Sequence, residues 1–251
     1  DMYKKLIAGI AGFIFVIGIW YLSIYAGVVN KILLPYPHKV MIEFFTLFSE
    51  HQFWIDLGST TFTWIGGIVL GVLFGCILGV IIGLNSFIYY AFEPWIEFIR
   101  SLPSVVLVPL VALFLGVGIN SRLACSSIVV TVMLLSNISI AFRTVKQSHI
   151  KLAQSWKINK KQKLIYFILP AALSHLVVTL KSAIPISLIV AVAADMLIAT
   201  DNGVGKIIMD SMAVLNTSKM YAAIFVVGVL GYVASLLSNK IEQKTIHWSG
   251  K

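Results

Sequence analysis

This sequence is short of charge. Of its 251 residues only 12% are Asp, Glu, Lys or Arg, and just ten are acids. A soluble domain carries about twice that charged fraction, so an ordinary water-soluble fold is excluded. Cysteine is scarcer still, with two residues. Cys76 and Cys125 both lie in apolar runs, without a CxxC partner or a neighbouring His. They read as small buried hydrophobes, and no metal site is expected. Catalytic signatures are missing too: there is no HExxH, no GxSxG and no spaced pair of carboxylates, so an enzyme has no chemistry to stand on. The stretch GVGK at 203–206 falls short of a phosphate loop, with Thr200 where the first glycine belongs and Ile207 where Ser or Thr belongs. This chain is expected to bind no nucleotide itself.

What is present is oil. Hydrophobic residues make up 59% of the chain and the mean hydropathy is +0.95, which places most of it in lipid. Crossing a bilayer as a helix takes about 20 apolar residues. Six candidate spans follow: 6–26, 62–84, 102–117, 123–142, 182–199 and 220–237. The first is too long for a signal-peptide core and is kept as a span. The third is short and holds Pro103 and Pro109. Residues 38–54 and the aromatic-rich 87–100 read as interfacial segments. With both termini cytoplasmic, the inner connections carry thirteen Lys and Arg, Arg100 among them, and the outer ones five, Arg122 among them. That asymmetry follows the positive-inside rule. It accounts for the net charge of +9 without a nucleic-acid partner. The expectation is an all-α, polytopic protein, one membrane domain over 1–251.

Within the spans three features stand out. Gly67, Gly71, Gly75, Gly79 and Gly83 recur every four residues, a spacing that lets helix backbones approach closely. A four-residue step drifts about 40° per repeat on a 3.6-residue helix, so the stripe favours a crossing neighbour over a straight seam. It serves either plain packing or a sliding surface. Pro103, Pro109 and Pro185 each remove a helix hydrogen bond and mark either static kinks or broken helices of a transport path. Asp195 sits in LIVAVAADMLIAT near the outer end of the fifth span. A carboxylate in an apolar helix costs about 2.5–3.5 kcal/mol at mid-membrane on insertion scales. It is a functional candidate or an interhelical hydrogen-bond partner. Ser187 and Thr200 share its segment but not one tight stripe. Lys181, about 21 Å away along the helix, cannot pair with it and marks the cytoplasmic end.

The segment 143–163 holds seven basic residues and no acid, fixing it as cytoplasmic over anionic headgroups. Ile150, Ala153 and Trp156 recur at helical spacing, with Leu152 beside them, and suggest a short amphipathic helix before Pro170. Such a helix stabilises topology alone or docks a soluble partner.

A short cytoplasmic helix ending in ILP at 168–170, ahead of the fifth of six spans, resembles the permease subunits of type I ABC importers, and among them the nitrate/sulfonate/taurine-type permeases. LLPYPHKV at 33–40, EPWIEFIRSLPSVVLVPLVALFLGVG at 93–118, ILPAALSHLVVTLKSAIPISLIVAVAADM at 168–196 and NGVGKII at 202–208 are each similar to stretches of that subgroup. The resemblance implies a six-span fold that works as a homodimer or heterodimer in the bacterial inner membrane. It implies two ATP-binding subunits that hold ATP and Mg, an extracytoplasmic binding protein, and a small, possibly anionic solute or vitamin precursor as cargo. It places ATPase coupling at Lys151, Leu152, Ala153, Trp156, Lys157, Leu169 and Pro170 in loop 143–170. It places pathway and gate at Lys181, Pro185, Ser187, Asp195, Met196 and Thr200. Lys157 stands where that family's loop has its glycine and Lys151 where it has its glutamate, which implies an unusual or acidic groove on the ATPase. A six-span scaffold without transport, or a secondary transporter, are the alternatives.

Overall fold

With no water at membrane depth, backbone polar groups must bond within their own segment. The computed structural model describes residues 2–155, 169–198 and 200–245, and all regular structure among them is helical. The helices are α1 (Met2–Tyr25), α2 (Pro37–Ser49), α3 (His51–Leu84), α4 (Ser86–Ser101), α5 (Leu107–Leu115), α6 (Ile119–Ser155), α7 (Leu169–Leu197), α8 (Val204–Ala213) and α9 (Thr217–Thr245). Five of them, α1, α3, α6, α7 and α9, are long and apolar enough to cross a bilayer unaided.

The expected third span, 102–117, is different. Here α4, a 3-10 turn at Ser104–Val106 and α5 form a pair bent by 92°. The nine residues of α5 reach only about 14 Å, half of a hydrocarbon core. The break has a local cause. Pro103 excludes helical geometry from the residue before it, and Leu102 is extended at φ −74°, ψ 134°. At the other end Gly116 takes φ 77°, which only glycine adopts freely. A sixth crossing therefore exists only as this broken pair. Pro185, by contrast, breaks nothing: α7 runs unbroken through it. Trp64 Nε1 donates to Ile184 O and to Ser187 Oγ, both at 3.1 Å, and so pins the turn around it. The interfacial reading of 38–54 also needs correcting. The segment is divided at Glu50 between α2 and the start of α3, and Phe53 there is 1% exposed.

At the centre, α3 and α6 run parallel. Each glycine of the ladder meets a residue 59 positions later: Gly67 meets Ser126, Gly71 Val130, Gly75 Leu134, Gly79 Ile138 and Gly83 Phe142. A Cβ added at Gly71, Gly75, Gly79 or Gly83 would lie 2.5–2.9 Å from the opposing Cβ, and Gly67 is tighter still. The expected brief crossing is thus a seam held over five rungs. Both stripes have a period above 3.6, so contact this long requires right-handed wrapping of the pair. Helix α7 packs on α3 and α6 through Ala183, Leu188, Ala191 and Val190, with α8, α9 and α2 closing one side. Helix α6 extends past its apolar stretch to Ser155, so residues 150–155 continue it rather than form a separate helix.

Candidate functional site

Asp195 has its partners at one end of the bundle. The Arg122 guanidinium, from the first turn of α6, lies with Nη2 2.6 Å from Asp195 Oδ1. The side chains are 4% and 0% exposed, so both charges are out of water. Thr60 Oγ1 donates to Asp195 Oδ2 at 2.5 Å, and Arg122 Nη1 donates to Ser59 Oγ at 3.0 Å. The segment after α7 folds back onto this pair. Gly203 N donates to Asp56 Oδ1 at 2.8 Å and Val204 N to Thr60 Oγ1 at 2.9 Å. Gly203 takes φ 150°, and a Cβ there would sit 2.6 Å from Asp195 Oδ2, so both conformation and space demand glycine. Gln52 Nε2 closes the outside by donating to Asn202 Oδ1 at 2.9 Å. The cluster ties α3, α6, α7 and the 200–204 turn together.

The ion pair is close but not aligned as a hydrogen bond, and Arg122 Nε has no partner among the described residues. A buried pair of this kind is weak evidence for net stability, because desolvation offsets most of the attraction. Removing one partner is costly, at about 3–5 kcal/mol. Its role is therefore positional: it fixes which helix ends meet.

The other expected pathway residues do not gather here. Ser187 is buried some two turns down α7 and is held by Trp64 and Ile184. Met196 packs at the edge of the core, Pro185 is half-buried, and Thr200 Oγ1 donates to Asn202 O at 3.2 Å. Lys181 lies at the far end, paired with Glu242 of α9 at 2.7 Å. Lys151, Leu152 and Ala153 fall in the backbone of α6, and Leu169 and Pro170 open α7. Trp156 and Lys157 lie outside the described residues.

Sequence reasoning missed Arg122, Thr60, Asp56 and the turn glycine Gly203. The available signal was the cost of Asp195 itself. An acid in a span needs a cation at its own depth, and Arg122 opens the neighbouring span.

A second feature sits halfway along the bundle. The break between α4 and α5 opens a cavity of about 260 Å³. Its walls come from α4, the 3-10 turn, α5, the middle of α6 and Ile186 of α7. Arg100, Ser104 and Asn137 supply its polar groups, amid Leu102, Leu107 and Met133. The charge count had assigned Arg100 to the cytoplasmic connections. In the structure it lines this cavity beside residues 128–137 of α6, within that helix's 119–143 apolar stretch. At the opposite end from Asp195, Arg143 lies 4.0 Å from the Tyr89 ring centroid and donates to Tyr90 Oη at 2.9 Å, joining α6 to α4. Among the described residues no cluster of His, Cys, Asp and Glu could hold a metal.

Comparison with known proteins gives this architecture a context. A family model described as binding-protein-dependent transport system inner membrane component matches residues 67–247. The chain is similar to the taurine transport system permease protein of Escherichia coli K12, 23% identical over 93% of this chain and 86% of the relative. It is similar to a putative aliphatic sulfonates transport permease protein of Bacillus subtilis 168, 24% identical over 93% and 84%. It is also similar to the formylaminopyrimidine transport permease protein of Halalkalibacterium halodurans, 23% identical over 87% of each. Among solved structures, an inward-facing form of the MetNI methionine ABC transporter shares its fold. That match has a TM-score of 0.62 and 16% identity, over 76% of this chain and 96% of that one.

Proposed function

The chain belongs to the family of binding-protein-dependent transport system inner membrane components, and from that premise we propose that it forms the solute pathway of an ATP-driven importer. The observation that carries this reading is the broken crossing. A discontinuous helix pair beside a largely apolar cavity that carries a few polar groups is the arrangement by which membrane transporters hold a solute. A scaffold has no use for a cavity there, and a secondary transporter calls for a coupling-ion site.

In this reading the solute is small, of the size of the sulfonates and pyrimidines named for the relatives. ATP and Mg belong to a separate ATP-binding subunit, and this chain supplies no catalytic group. A second copy or a non-identical permease covers the cavity face, and an extracytoplasmic binding protein delivers the solute to the Asp195 end. Both termini are then cytoplasmic. The coupling loop joins α6 to α7, so closure of the ATPase pushes on Lys151–Trp156 and on Leu169–Pro170. Both flanking helices are continuous from the loop to the Arg122–Asp195 contact. The push therefore reaches the far end as rigid-body motion, with Pro185, Ser187 and Met196 on the moving wall and Thr200 beside the gate. Purification of the intact chain with its neighbours tests this. An ATPase should co-purify, and its turnover should fall when Lys151→Glu and Lys157→Glu are introduced together. Recovery of no ATPase under conditions that keep the chain folded would refute the reading.

A further inference from the structure

The charge at mid-depth has a consequence for what passes. Arg100 is 41% exposed, yet it lines a cavity walled by the middle of the α6 apolar stretch. An arginine left half-open to hydrocarbon at that depth is expensive, and such residues face protein or a water-filled path. Its partner among the described residues is Glu97, one turn earlier on α4, with Arg100 Nη1 to Glu97 Oε1 at 2.6 Å. Glu97 is itself 57% exposed and takes one bond from a five-donor group. Arg100 lines the cavity and Glu97 does not. Ser104 and Asn137 add hydrogen-bonding groups to the same wall, and Asn137 Nδ2 is already engaged with Met133 O at 2.8 Å. That leaves the second Asn137 Nδ2 hydrogen and the Ser104 hydroxyl as donors to orient a ligand.

We propose that Arg100 is the anion-recognising residue of the pathway, taking a sulfonate or similar small oxyanion into the mid-depth cavity with Ser104 and Asn137 beside it. The planar guanidinium fork matches two oxygens of such a head group, which a lysine does not. Glu97 is the resident counter-ion: it neutralises Arg100 when the site is empty and yields one nitrogen to the incoming anion. The cavity volume suits a ligand of a few heavy atoms, below the usual range for drug-sized molecules. This proposal rests on the permease reading, and its test is chosen to fail separately from it.

The test uses the intact chain in liposomes, with Cys76→Ala and Cys125→Ala, carrying Ser104→Cys as a reporter. Two thiol reagents of similar size are compared, the anionic 2-sulfonatoethyl and the cationic 2-(trimethylammonium)ethyl methanethiosulfonate. The anionic reagent, itself a sulfonate, is expected to react about tenfold faster after correction for intrinsic reactivity. Adding Arg100→Gln should abolish or reverse that preference, and Glu97→Gln should increase it. Asn137→Cys serves as a second reporter if the Ser104 variant does not fold. A reporter that reacts with neither reagent means a dry face and overturns the proposal, as does a preference for the cation or one unaffected by Arg100→Gln. Uptake is the separate arm. If the chain assembled with its ATPase shows no ATP-dependent uptake of labelled taurine, ethanesulfonate or a neutral pyrimidine while the anion preference stands, the permease reading fails and the anion site does not.

Discussion

Replacing Asp195 by asparagine tests the cluster at the end of α7 most sharply. The change keeps size and leaves Thr60 an acceptor, but it strands the Arg122 charge. With the pair 4% and 0% exposed, water cannot re-solvate that charge without opening the bundle. The expected loss is about 3–5 kcal/mol. For a chain of this length that corresponds to a drop of roughly 6–20 °C in the melting midpoint. Arg122→Met alone should cost a similar amount by stranding Asp195. The double variant, Arg122→Met with Asp195→Asn, removes both charges and should recover most of the loss, because an apolar replacement of a buried pair is often neutral or better. The assay is thermal unfolding of the detergent-solubilised protein, followed by fluorescence-detected size exclusion across the four-member cycle. A single Asp195→Asn variant that melts within 2 °C of the parent would refute the reasoning, as would a double variant that loses the sum of the two singles. Either result would mean that the carboxylate is neutral or the site is open to water.

Other expectations follow from contacts of different kinds. Gly75→Ala must push Leu134 Cβ from 2.7 Å and should cost about 1–3 kcal/mol by overpacking, whereas Gly12→Ala, with nothing within 4 Å, should not lower the melting midpoint in the same assay. Trp64→Phe removes the donor that serves Ile184 O and Ser187 Oγ, at about 1 kcal/mol, and amide exchange around Pro185 should accelerate. Arg143→Gln loses its stacking on Tyr89 and Tyr90, at about 0.5–2 kcal/mol; hydrogen exchange in α4 should rise while α9 stays unchanged. The Asp210 carboxylate raises the Lys206 ammonium above its ordinary pKa. A raised lysine stabilises below its unfolded pKa and loses that contribution only as pH climbs through its folded one. Asp210→Asn should therefore leave the melting curve flat between about pH 6 and 9, and any effect should vanish in salt.

The helical class and four of the five long crossings were legible because a bilayer allows few alternatives to a long apolar helix. The fifth, α3, was also visible, but its start at His51 was not. Gln52, Asp56, Ser59 and Thr60 dilute the apolar signal that a span is read from, and those polar residues face the cluster rather than lipid. The third crossing could be located in the sequence but not its shape, for a related reason. Pro103 was seen, but periodicity carries no information about a 92° bend. Charge counting places Arg100 by sequence neighbourhood and is blind to the packing of Ile96 of α4 against Ile82 and Leu135. Asp195 stands out in the sequence as a costly residue, but its partners come from residues 56–60, 122 and 203–204. Pairings over such distances are written in the packing and not in any local pattern.

The glycine ladder raises a question of uniqueness. Evenly spaced rungs make an interface that nearly repeats itself, so α6 sliding about 6 Å along α3 and turning about 40° would put each side chain opposite the next glycine. Identical side chains would leave the helices no way to tell one alignment from another. The opposing row is graded instead: Ser126, Val130, Leu134, Ile138, Phe142, small at the Asp195 end and large at the Arg143 end. A slip toward the Asp195 end drives nearly every side chain into a gap cut for a smaller one, and a slip the other way opens voids. The seam works like a key whose teeth rise in height, which fits its lock at one depth, and the same grading makes α3 and α6 travel together as one piece.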